Sequence, residues 1–141
     1  MPSNDPSLLQ PNAEQGGPLP LRIALIMVGL TYTFGLYPLT VLWPDGFMWM
    51  PRQAEYEQMI LATFAVLGVF LLLASRQPAQ HRSLIAFAAW SSLVHGLVML
   101  VQALVDPSER ANMLGDVPAL VVVGIVLLVL SRPSRLSTQE S

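Results

Sequence analysis

The chain has 141 residues, 53% of them hydrophobic and 11% charged, with a mean hydropathy of +0.55 and a formal net charge of −2. Soluble domains carry about a quarter of their residues charged, so this composition describes a single membrane domain. The absence of cysteine excludes disulfides, thiolate metal sites and cysteine nucleophiles, the absence of lysine excludes Schiff-base chemistry, and the negative balance leaves no basic patch for nucleic acid.

Residues 1–20 are rich in proline and polar side chains and contain no basic residue. Such a segment buries too little apolar surface to order itself, and a disordered N-terminal tail is expected. The positive region that precedes the core of a secretory signal is missing, so the first apolar run reads as an uncleaved membrane helix. That run, about 21–42, is long enough to cross a hydrocarbon core of roughly 30 Å at about 1.5 Å per residue. Gly29 and Thr33 are four apart and would let another helix approach closely. Pro38 lacks a backbone donor and is expected to bend the last turns.

Trp43-Pro44-Asp45-Gly46 reads as a turn, and Tyr37, Trp43 and Trp49 stand where an interfacial aromatic belt is expected. Phe47, Met48 and Met50 suggest a loop folded back onto the membrane surface. A second span, about 52–75, opens at Pro51, a favoured first-turn residue. Glu55 and Glu57 then suit the positive end of its helix dipole. The polar hairpin Ser75 to Arg82 makes spans two and three antiparallel neighbours.

The third span, about 83–105, has a polar seam. At about 100° per residue, Ser91, Ser92, Met99, Gln102 and Asp106 lie within roughly 60° of His95. Ala88, Ser92 and Gly96, spaced by four, form a second, close-packing stripe. Asp106-Pro107-Ser108-Glu109 and Gly115-Asp116-Val117-Pro118 are both helix-start signals. They imply a short surface helix and a fourth span at about 116–131, or one helix kinked at Pro118. Residues 132–141 form a polar tail.

Four spans put both termini and the 75–82 hairpin on one side. That side holds Arg22, Arg76, Arg82, Arg132 and Arg135, against Arg52 and Arg110 opposite. The positive-inside rule therefore makes the termini cytoplasmic. The expected architecture is an all-α, antiparallel four-transmembrane-helix bundle in a bacterial cytoplasmic membrane, with an arginine-only basic set that fits a GC-rich genome. Its outer loops carry Asp45, Glu55, Glu57, Asp106, Glu109 and Asp116, six of the nine acids.

His95 lies near the midplane, where ionisable groups are costly and usually face the bundle interior. One reading makes it a proton-accepting or ligand-holding imidazole, with an unperturbed pKa of about 6.5. The other makes it a neutral histidine bonded to Ser91, Gln102 or a tyrosine, pinning helices together. His81 and His95 are about 21 Å apart along one helix, so a haem held between two histidines is excluded; a single axial histidine remains an alternative. Asp106, Glu109 and Asp116 lack an adjacent histidine for a zinc site and are read as caps and solvated loop acids. Of Tyr56 and Glu57, 100° apart, one is expected to face inward. Glu57, Gln102, Asp106 and Asp116 could form an acidic vestibule above His95 that favours cations or amines. No cofactor is expected.

The motifs Gly35-Leu36-Tyr37-Pro38-Leu39, Leu42-Trp43-Pro44, Glu55-Tyr56-Glu57-Gln58-Met59, Ala89 to His95 and Gly115 to Leu120 resemble those of a family of small bacterial four-span membrane proteins. That family is catalogued only as a domain of unknown function, so the resemblance, over about 21–130, implies architecture and no reaction. A looser likeness to DoxX-like proteins rests on topology. The leading functional expectation is a non-enzymatic ligand-binding or accessory subunit with a pocket built from His95, Gln102, Ser91, Asp106, Glu57, Tyr56 and Asp116. A small transporter or proton-coupled permease is the alternative, and an enzyme acting on a lipid or quinone comes third. The bilayer is the expected partner, with a homo-oligomer or a larger membrane complex open and nucleic acid excluded.

Overall fold

A computed structural model of the chain describes residues 17–49 and 54–132. The expected tail as far as residue 16, the expected start of span two at Pro51 and the polar tail from residue 133 lie outside the described residues. Every regular element among the described residues is helical. In chain order these are α1 (Leu19–Leu30), a π-helical turn (Thr31–Gly35), α2 (Leu36–Leu42), α3 (Pro44–Phe47), α4 (Ala54–Ala74), a 3-10 turn (Pro78–His81), α5 (Arg82–Val105), a 3-10 helix (Pro107–Leu114) and α6 (Asp116–Leu130).

Among the described residues, three helices are long and apolar enough to cross a membrane: Leu19–Leu42, Glu55–Ala74 and Pro78–Val105. A fourth span exists if Pro107–Leu114 and Asp116–Leu130, which meet at a bend of 44°, count as one. The junction at Gly115 therefore makes two elements here, with the break just before Asp116. Leu19 and Pro20, expected in the tail, already belong to α1, with Pro20 in the first turn where no intrahelical N–H is required. The expected turn at 43–46 is a single turn of helix, Pro44–Phe47.

Small residues set the helix contacts. A Cβ placed on Gly29 would touch Leu72 and the Gly68 carbonyl, and one on Gly68 would touch Thr33. Arg22 Nε donates to the Ser75 carbonyl at 3.0 Å, adding a cation to the negative end of α4. The contact register thus falls in α4 as it rises in α1. The same holds for α5 and α6, where Gly96 meets Val117, Leu120 and Val121 while Gly124 meets Leu93 and Ala89. Lipid offers no hydrophobic drive for helices to associate, so close backbone approach at small residues supplies the attraction.

The core follows from these seams. Leu21, Leu25, Val28, Leu71, Ile85, Ala88, Ala89 and Leu127 form one buried cluster toward the Arg22 end of the helices, with Tyr32 at its far edge. On α5 the buried positions Ala88, Ser92, Gly96, Met99 and Ala103 oppose an exposed ridge of Phe87, Trp90, Val94, Leu97, Val101 and Leu104. Large apolar side chains at three- and four-residue spacing on the outside suit a lipid surface.

The α1–α4 seam yields a direct test. A Cβ on Gly68 would lie 2.5 Å from Thr33 Oγ1, 2.7 Å from the Gly29 carbonyl oxygen and 2.8 Å from Thr33 N. Two of these are backbone atoms that no rotamer change can move. Gly68→Ala is expected to lower stability by about 1–3 kcal/mol, as overpacking does, read as a reduced unfolding midpoint in detergent. An unchanged midpoint would mean that the two helices do not meet at this distance.

Candidate functional site

Beyond Thr33 the helices part, and the reason lies in α1 and α2. Pro38 has no N–H to give, and its ring crowds the carbonyl four residues back, at Phe34. The chain meets this one turn earlier than the sequence suggests. Thr31–Gly35 forms a wide turn in which the Leu36 N–H donates to the Thr31 carbonyl, five residues back. Wide turns of this kind recur at functional sites.

The space so opened is a cavity of about 530 Å³. Its floor is aromatic. The rings of Tyr32 and Phe64 meet edge to face at 4.9 Å between centroids, and Phe64 lies 5.7 Å from the His95 ring. Tyr32 and Ser92 are hydrogen bonded at 3.0 Å, and Ser92 Oγ donates to the Ala88 carbonyl at 2.7 Å. With the single serine proton committed to that carbonyl, the Tyr32 hydroxyl is the donor to Ser92. Leu36, Leu39 and Thr40 form one wall and Leu120 and Val123 another.

Phe47, Met48 and Trp49 roof the cavity. Trp49 Nε1 donates to Asp116 Oδ2 at 2.9 Å, tying the segment after α3 to the first residue of α6. Beside this bond Gly115 lies directly against the backbone of Gly46, so that a Cβ on Gly115 would collide with the Gly46 carbonyl. The loop expected to fold back onto the membrane surface thus folds back over the cavity. Behind it Glu109 and Asn112 are buried, and Asn112 Nδ2 donates to Glu109 Oε2 at 2.8 Å. Glu109, expected as a solvated loop acid, is buried.

Five of the seven residues expected at a site border this cavity: His95, Gln102, Glu57, Tyr56 and Asp116. Tyr56 and Glu57 both do so, against the expectation that only one would. At the start of α4 the cavity wall is wide enough to take neighbouring positions, with Tyr56, 64% exposed, on the rim. Ser91 and Asp106 stand apart. Ser91 Oγ is turned back to the Ala88 carbonyl at 3.2 Å. Asp106 is exposed and caps the 3-10 helix, its Oδ1 accepting from the Ser108 N–H at 2.9 Å and the Ser108 hydroxyl at 2.7 Å. The hydroxyl first, and then the backbone donor, hold its carboxyl below the usual aspartate value.

His95 is half-buried and makes no hydrogen bond to Ser91, Gln102 or a tyrosine among the described residues. Its protein neighbour is the Phe64 ring, and the expected pinning role is not the one its contacts describe. Glu57 likewise has no ion-pair partner among the described residues, and Asp116 Oδ1 is buried without a donor. Sequence reasoning missed Tyr32, Phe64 and Trp49. Tyr32 and Phe64 offered no polar pattern of their own, and Trp49 read as a belt residue.

The chain belongs to the family of unknown function DUF6632, whose family model matches residues 18–141. No curated protein and no solved structure matches it.

The floor can be probed by a double-mutant cycle. Tyr32→Phe and Ser92→Ala each remove the same bond, so each is expected to cost about 1 kcal/mol, with the double variant little worse than either. Unfolding midpoints in detergent would report this, and strictly additive losses would show that the two hydroxyls act independently.

Proposed function

We propose that this member of a family without an assigned function is a small ligand-binding or accessory protein of a bacterial cytoplasmic membrane. It is an antiparallel four-span bundle with both termini and the Pro78–His81 turn in the cytoplasm. Its cavity faces outward and holds a small, largely apolar ligand beside His95. The arginine asymmetry, five to two, supports the orientation.

The observation that carries the binding reading is His95 itself. An imidazole at this depth normally satisfies its nitrogens on protein groups, because hydrocarbon cannot. Here it borders a cavity of about 530 Å³ and has no protein hydrogen-bond partner among the described residues. Cavities of roughly 300–1,000 Å³ with few polar groups on apolar walls suit small ligands.

Two competing readings gain less support. A transporter needs a route past the floor, yet Leu25, Leu71 and Leu127 are fully buried there and Ile85 is 1% exposed. An enzyme would need acids to converge on His95, and Asp106 stands outside the cavity on a solvent-exposed cap.

Filling the cavity tests the reading. In the full chain purified in mild detergent, Ala119→Trp is expected to abolish calorimetric binding of 4-phenylbutan-1-ol without lowering the unfolding midpoint. Undiminished binding would place the ligand elsewhere. The native chain contains no cysteine, so topology is accessible by single substitutions. In intact cells, Ala79→Cys should resist an impermeant maleimide while Ser108→Cys reacts; the reverse pattern would invert the orientation.

A further inference from the structure

We propose that the ligand is a lipophilic amine, bound as its ammonium ion, and this inference rests on the cavity being a binding site. Two carboxylates border the cavity, Glu57 and Asp116, and no arginine is among the residues lining it. Glu57 has no protein cation beside it among the described residues. Asp116 receives a hydrogen bond from the Trp49 indole, its other oxygen is buried, and no protein cation stands beside it among the described residues. Both acids stand at the roof end of a space whose floor is aromatic and whose walls are mostly apolar. The site is therefore polarised, negative at the mouth and greasy at depth.

That pattern selects among ligand classes. A carboxylate or phosphate would bring a like charge against Glu57 and Asp116 where the surroundings screen poorly. A neutral alcohol of the same shape would fill the apolar part and leave both acids uncompensated. An ammonium group compensates them, and the Trp49 and Tyr56 side chains that line the cavity offer aromatic rings for cation–π attraction. Its apolar tail then reaches the floor at Tyr32 and Phe64. Alkylamines ionise near pH 10, as lysine does, so the bound form dominates at neutral pH.

Three compounds of one shape test this: 4-phenylbutylamine, 4-phenylbutan-1-ol and 4-phenylbutyrate, titrated calorimetrically into the full chain in a neutral detergent. The amine is expected to bind about tenfold or more tightly than the alcohol, a difference typical of one compensated charge, and the carboxylate to bind more weakly than both. In Glu57→Gln and Asp116→Asn the ratio of amine to alcohol affinity should fall toward one. An alcohol or carboxylate that binds as tightly as the amine, or a ratio unmoved by both substitutions, overturns the amine assignment and leaves the cavity as a neutral site. If none of the three binds, the binding reading falls and this inference with it.

Discussion

Two glycine-lined seams hold this molecule together, and everything else is arranged around the place where they stop. Gly29 and Gly68 bring α1 and α4 together, while Gly96 and Gly124 do the same for α5 and α6. Backbones this close gain dispersion along their whole contact, which in lipid must replace the hydrophobic effect. Past Thr33 the first pair separates, because the proline in α2 cannot continue a regular hydrogen-bond ladder. The cavity is the direct product of a tight seam followed by a wide turn.

A hydrocarbon surrounding also dictates where polar groups can go. Thr33, Thr40, Thr63, Ser75 and Ser92 each return a hydroxyl proton to a carbonyl three or four residues back on their own helix. These hydroxyls are thereby neutral to their surroundings. Against that background, the groups that do not turn back acquire meaning. Tyr32 reaches across to another helix, Trp49 reaches across to α6, and His95 reaches no protein partner among the described residues. The site consists of the polar residues that local hydrogen bonding leaves over.

Much of this was legible in the residues and some was not, for physical reasons. Uninterrupted apolar runs announce spans because the bilayer demands length and nothing else of them. The start of α6 was readable from Gly115 and Asp116, and His95 stood out because an ionisable group in such a run is expensive. A helical wheel also grouped His95 with Gln102, since that grouping depends only on helix geometry. It also admitted Ser91 and Asp106, which do not border the cavity, because a wheel cannot show that one hydroxyl is spent on its own backbone or that α5 ends at Val105. The roof was out of reach altogether. The contact of Gly46 with Gly115 and the bond from Trp49 to Asp116 join segments more than sixty residues apart, and neither leaves a periodic trace.

The wide turn in the first span has an arithmetic consequence. Counting about 3.6 residues per turn from Leu21 gives inward positions near 25, 28 and 32, then near 35 and 39. One additional residue in the turn moves the last two to 36 and 40, and it is Thr40 that is buried, at 8% exposure. A single-residue deletion between Thr31 and Gly35 would therefore remove the added residue, while the proline would still leave one gap in the hydrogen-bond ladder. The deletion would also rephase the last third of the first span, exchanging one set of side chains at the chamber wall for another while leaving the opposite end of the molecule untouched.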